Sequence, residues 1–394
     1  MATTPYPFVA GAVLTASQLN STFNVPVNAQ TASYVLVASD AGKRVQMNAA
    51  GATTITVNTS LFSAGDNLFI QNIGAGTCTI TAGTATVSTS GSLALAQYGG
   101  GTLYFTSASA AIFFPSGGIG YGVATGGTSS PITVSGINYT LLSFTSSGTL
   151  TVTKSGLFDV YAFGGGASGG SVQQSTGVGG GGGAGGGIIS TLYLDANQTI
   201  TVGAGGSGSQ TVAGNGTTST VGTKLFATGG GVGAFKDNNG DAHSPQQGGC
   251  GGGGARMGSG SPFATGGTGQ IGFKGGDYVS GTNSAAAGGG GMSAVGGNAT
   301  TNTGGAGGAG VDVSTFIGAG SSLFKAGGGG GGGATTGGAG GSSVGGAGFS
   351  GATGVGAAAG ANTASGGGGS IDNGTATRLG GNGGSGIVYI RFKV

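Results

Sequence analysis

The chain lacks tryptophan and glutamate altogether, and all nine of its acidic residues are Asp. Charged residues make up 5% of 394, against about 25% in ordinary globular proteins. The net charge of +2 and the absence of a basic run exclude a nucleic-acid partner. Two cysteines, Cys78 and Cys250, are too few and too far apart for a disulfide framework or a Cys-based metal centre. No apolar run approaches the roughly 18 residues a membrane helix needs, so no membrane insertion is expected. Met1 to Phe8 shows neither the basic start nor the apolar core of a secretory signal.

Glycine is abundant, with 102 residues, of which only 11 lie before position 116. The remainder of the chain is therefore about one-third Gly, the proportion of collagen. Collagen is excluded, because there are 7 prolines in all and no strict G-X-Y period. Disorder also fits poorly, since the mean hydropathy is +0.22 and the Gly runs sit between good strand sequences.

Residues 13–24 carry one helix signal, with Thr15 and Gln18 placed as a capping box, Leu14 and Leu19 as a staple, and Pro26 beyond. From 31 to 115 the chain reads as short β-branched or aromatic strands, including RVQMN (44–48), TTITV (53–57), NLFIQNI (67–73) and TLYFTS (102–107). Their spacing predicts an antiparallel sandwich or barrel-like β domain. Residues 116–135 look like a linker, and 136–394 a glycine-rich domain opening with INYTLLSF (137–144), TLTVT (149–153) and GLFDVYAF (156–163) and closing with GIVYIRFKV (386–394). The predicted fold class is all-β, with an attachment segment over 1–30 ahead of both domains.

The Gly runs themselves predict a bundle of polyglycine II helices. Such a helix has three residues per turn and no internal hydrogen bonds, so every N–H and C=O must find a partner on a neighbour. Glycine permits the necessary close approach. A bundle of this kind carries almost no side chains, so any recognition falls to the islands between runs. Candidate residues there are Phe235, Lys236, Asp237, Asn238, Asn239, Asp241 and His243 in one island, Phe263 in a second, and Phe273, Lys274, Asp277 and Tyr278 in a third. Aromatic faces beside hydrogen-bonding edges suit a glycan or a protein surface. The bland alternative is that rings such as Phe273, Phe316 and Phe324 pack beneath the bundle.

Catalytic and cofactor motifs are weak. GAGGSG (203–208) matches a dinucleotide fingerprint, but SQTVAGNG follows it where a helix is required. The single His243 makes no convincing triad, and Asp237 with Asp241 in one loop makes no glycosidase pair. DNNGD (237–241) lacks the EF-hand spacing and closing Glu. Neither enzymatic activity nor any metal or other cofactor is expected.

PFVAGAVLTASQLNSTFN (7–24), the block from SYVLVASDAGKRVQMN to LALAQYGGGTLYFTS, and the segments GLFDVYAFGGGASGG, TITVGAGGSG and GGNGGSGIVYIRFKV together resemble tail-fibre and adhesin proteins of tailed bacteriophages. That resemblance implies a polyglycine II sandwich with display loops, a virion location after release by lysis, and binding to a host cell-surface receptor. It also implies a homo-oligomer, a trimer by preference, attached to other tail proteins through its N-terminal part. The alternative on the same residues is a capsid decoration or a self-assembling filament subunit without receptor binding.

Overall fold

The computed structural model describes residues 25–394, apart from 90, 117–119, 173–175, 210–213, 238–240, 257–264, 280–283 and 375. The expected helix over 13–24 lies outside the described residues. The chain divides into two compact units, Met1–Gly120 and Tyr121–Val394.

The first unit is wound rather than folded back. Strands β1 (Val27–Gln30), β3 (Arg44–Met47) and β5 (Asn67–Asn72) lie in one sheet, and β2 (Tyr34–Val35), β4 (Thr53–Val57) and β6 (Cys78–Ala82) in another. Each set pairs in parallel: Arg44 opposes Phe69, and Thr53 opposes Cys78, an offset of 25 residues in both cases. Successive strands thus alternate between two stacked sheets, as in a β-solenoid. Only β9 (Gly100–Ser107) and β10 (Ala110–Pro115) form a hairpin on the first sheet, where β10 also pairs in parallel with β7 (Thr86–Thr89). The short β8 (Ala94–Leu95) caps the second sheet antiparallel to β6. The expected antiparallel pairing is therefore corrected to a mixed, mainly parallel one. Alternation is what hides the difference in sequence, since both pairings leave every second residue inward. Val45, Met47, Leu68, Ile70 and Phe105 from one sheet and Ile55, Val57 and Ile80 from the other form a single core. Asn72 plugs the bend after β5, its amide nitrogen donating to the carbonyls of Gly76 and Leu95 at 2.8 and 2.9 Å.

The second unit starts within the stretch expected as a linker. That expectation is corrected: β11 (Val123–Thr125) and β12 (Thr128–Val134) are strands. The Gly and Pro that suggested a linker sit where strands tolerate them. Gly126 and Gly127 turn the chain at φ +136° and +55°, and Pro131 is on an edge strand, where the missing N–H interrupts no ladder. Strands β12, β13 (Ile137–Phe144), β26 (Ile387–Lys393), β15 (Gly156–Phe163) and β17 (Gly187–Leu194) make an antiparallel five-stranded sheet in that order. A second sheet runs β11, β14 (Gly148–Lys154), β18 (Gln198–Thr201), β19 (Ser219–Val221) and β20 (Leu225–Ala227). Leu142, Phe158, Val160, Ile390 and Phe392 from the first pack on Leu150, Ile200 and Val221 from the second. The opposite face of the first sheet, through Leu141, Ile387 and Tyr389, meets the base of the glycine region and a one-turn helix, α1 (Ser314–Ile317).

The strands run without a break into glycine segments. From the end of β15, Gly164, Ala167 and Gly170 donate to the carbonyls of Gly186, Gly183 and Gly180. Gly165 and Ser168 donate to Thr217 and Gly214, and Gly166 and Gly169 to Gly384 and Gly381. Partners repeat every third residue, and each third of the segment faces a different neighbour, which is the signature of polyglycine II. The next segment does the same: Gly179, Gly182 and Gly185 donate to Ser370, Gly367 and Ala364, while Gly180, Gly183 and Gly186 donate to Ala234, Gly231 and Thr228. Glycine is required for space, not for turning. A Cβ at Gly169 would lie 2.0 Å from the carbonyl oxygen of Gly368, and one at Gly182 2.4 Å from that of Ala167.

Candidate binding face at the loop end of the bundle

Because the segments are hydrogen-bonded side by side, their loops collect at two ends. One end abuts the sheets. The other gathers loops that are remote in sequence: Lys236 N–H donates to Ser171 O at 2.9 Å, Val172 bridges Arg378, Thr303 bridges Thr336, and Gly333 bridges Ser350. This loop end holds most of the described candidates.

The first island is a hairpin of β21 (Phe235–Lys236) and β22 (Ala242–His243). The Phe235 and His243 rings stack 4.4 Å apart at 8°. His243 Nε2 is hydrogen-bonded to Asp237 Oδ2 at 3.0 Å, and Asp237 Oδ1 accepts from the Asp241 N–H at 2.9 Å. Phe235 itself is 7% exposed and packs on Ala167 and Val232, so it props the imidazole from below while His243 faces out. Asn238 and Asn239 lie outside the described residues, as does Phe263.

The third island is organised by Asp277. Its Oδ2 accepts from Lys274 Nζ at 2.7 Å and its Oδ1 from Gly266 N–H at 2.9 Å. Its own N–H donates to Asn298 Oδ1 at 2.8 Å. Partial burial acts to raise this carboxyl, but the Lys274 and Gly266 hydrogen bonds outweigh it and hold the group below its ordinary range. Half-buried Tyr278 follows directly. Phe273 is not part of this cluster. It lies four residues back towards the sheets, about 12 Å at the ~3.1 Å rise of such a helix, with its N–H on Gly291 O. The hairpin and the Asp277 cluster are near neighbours, since Ala234 donates to Gly253 O and Gly254 donates to Gly276 O. A single glycine segment separates them.

One cluster went unread in the sequence. Arg378 Nε donates to Thr353 Oγ1 at 3.0 Å, and Thr353 Oγ1 donates to Asp372 Oδ1 at 3.2 Å. Asp372 is 2% exposed, and its Oδ2 has no hydrogen bond among the described residues. Asp372 and Arg378 share one loop between two glycine segments, but Thr353 comes from another, so no local spacing announces the three together.

The second unit is an all-β scaffold with a glycine bundle whose loop end gathers polar groups from several loops. Residues 143–393 match the glycine-rich domain family, and the chain belongs to it. The first unit lies outside that match. No curated protein matches the chain.

Proposed function

We propose that this chain is a structural virion protein of a tailed bacteriophage, a tail-fibre or adhesin subunit binding a glycan or outer-membrane protein on the host. The convergence of loops at one end of a rigid bundle carries this reading. Dense inter-segment hydrogen bonding fixes the bundle, so the loops can be polar and varied without unsettling it. His243, Asp237, Lys274, Asp277 and Tyr278 then offer hydrogen-bonding edges and ring faces on neighbouring loops. The β-rich N-terminal part serves for attachment to other tail proteins, in a homo-oligomer for which a trimer is the natural form. No bond is made or broken in this role, and no cofactor takes part.

Purified full-length chain should compete with virions for adsorption to host cells. Replacing residues 235–243 by Gly and Ser should abolish that competition while leaving the chain folded, with a lower melting midpoint because the buried Phe235 ring is lost. Competition that persists undiminished in the replaced variant, or a wild-type chain that never competes, overturns the reading.

A further inference from the structure

The outward face of the first sheet in unit 1 is built from rows that cross strands in register. Arg44 opposes Phe69, Phe69 opposes Thr102, and Thr102 opposes Phe114. The next row runs Gln46, Gln71 and Gly100, with Ser116 N–H on Gly100 O at 2.8 Å. The residues that alternate with them along each strand, Val45, Ile70, Leu103 and Phe113, are committed to the core, so these rows face solvent by alternation.

Three features make this face unusual. Its rings are open, with Phe69 40% and Phe114 52% exposed. Tyr98 is 76% exposed yet held at φ +64°, a left-handed conformation that a bulky residue adopts only under constraint. Packing gives no reason for a tyrosine there. Finally, Gly100 leaves the floor bare, since a Cβ would lie 2.7 Å from Ile70 O. The result is a cavity of about 270 Å³ lined by Arg44, Phe69, Gln71, Tyr98, Gly100 and Ser116. Arg44 is the one charged group in that lining, and no carboxylate among the described residues pairs with it.

We infer that this cavity is a saccharide site, selective for sugars bearing a carboxylate. The weakly positive C–H face of a pyranose ring lies against the negative face of an aromatic ring, which Phe69 and Tyr98 supply. Gln71 and the Ser116 hydroxyl bring donors and acceptors to the ring hydroxyls. The forked guanidinium of Arg44 meets a carboxylate with two parallel hydrogen bonds, and it is the only charge the ligand must complement. The cavity falls just below the usual range for small-molecule pockets, which suits one or two sugar rings at a chain end. A protein partner fits less well, because polar rows interrupt the apolar surface that an interface core requires. The site is built from residues of the first unit alone and stands whether or not the loops of the second bind a receptor.

The test is calorimetric titration of the full-length protein with oligogalacturonate, oligoalginate and sialyllactose, and with a maltooligosaccharide as the neutral control. At least one acidic sugar should bind saturably, and the neutral one at least tenfold more weakly. Tyr98→Ala and Arg44→Gln should each weaken the acidic ligand at least tenfold without moving the melting midpoint of Tyr98→Ala, whose ring is already in solvent. Replacement of residues 235–243 should leave this binding intact. Three results would overturn the inference: no acidic sugar binds, Arg44→Gln binds like wild type, or Phe114→Ser changes the mass of the protein in solution, which would make the face a contact between copies.

Discussion

Arg391 Nη1 donates to the carbonyl of Phe316 at 2.6 Å while its guanidinium carbon lies 4.3 Å from the centre of the Phe316 ring. One side chain of the closing strand thus grips the one-turn helix α1 both through its backbone and through its ring. The same guanidinium carbon lies 4.6 Å from the centre of the Tyr139 ring, and Nε reaches Asp159 Oδ2 at 3.3 Å. Lysine could keep the charge but not the fork or the stacking. Arg391→Lys should cost about 1–3 kcal/mol, and Arg391→Ala, which leaves the mostly enclosed Asp159 with Thr191 but without its cation, about 2–4 kcal/mol. Urea midpoints measure both; a wild-type midpoint for Arg391→Ala would show that α1 is held by other contacts.

Glycine substitutions divide by neighbourhood. At Gly169 a Cβ would meet Gly368 O at 2.0 Å and its carbonyl carbon at 2.3 Å, and neither atom belongs to a side chain that can rotate away. Gly368 is itself fixed by its N–H on Ala357 O. Gly169→Ala should therefore cost more than about 3 kcal/mol, at or beyond the upper end of ordinary overpacking. Gly320, in the same unit, has nothing within 4 Å of the same added atom and no positive φ. Gly320→Ala should be neutral or stabilise by up to about 1 kcal/mol through the unfolded chain. Equal effects at the two sites, in paired thermal melts, would contradict the bundle geometry.

Much of this architecture was legible in local sequence. TTITV, INYTLLSF and GLFDVYAF are strands with the bounds their composition suggested. The polyglycine II bundle followed from a proportion of Gly too high for any fold that keeps its neighbours apart. Parallel winding of the first unit was not legible, because it depends on pairing at an offset of 25 residues rather than on any turn sequence. The helix α1 was hidden in VDVSTFIGAG for a related reason: four residues ended by Gly318 at φ +66° give no period to read, and its place is set by Arg391, 75 positions away. At the loop end, the composition of the islands singled out His243 and Asp277. It could not show that Phe235 is buried beneath His243, nor that Asp372 lies under Thr353.

Acid should release a specific contribution from Asp312. Its Oδ1 accepts from the N–H groups of Ser314 and Leu323 at 2.9 and 3.0 Å, which lowers the carboxyl from 3.8 to about 2. A carboxyl depressed in the folded state stabilises fully above its unfolded value, and that stabilisation is lost as pH falls through the folded value. The difference in urea midpoint between wild type and Asp312→Asn should hence shrink between about pH 4 and pH 2 and stay constant above about pH 5. A difference independent of pH throughout would mean that the carboxylate charge plays no part in joining α1 to the strand that follows.

Cys250 offers a reading of how the bundle opens. Its thiol is buried among Phe163, Ala184 and Ala326, and burial pushes it up to about 12. Its backbone is tied on both sides, the N–H to Ala184 O and the carbonyl to Gly231 N–H. Only the thiolate reacts with iodoacetamide, so at pH 8 the folded protein should remain unmodified here. Cys78 is likewise buried, but in the core of the first unit. The two thiols accordingly report on separate cores. Pulsed alkylation across a urea series, read by peptide mass, should label each as its own unit unfolds. Because the Cys250 segment shares hydrogen bonds with several others, its labelling should rise in one steep transition coincident with loss of the bundle. Labelling of Cys250 in native buffer within minutes would instead mean that glycine segments separate locally, and a scaffold that opens in that way could not hold its loops in fixed positions.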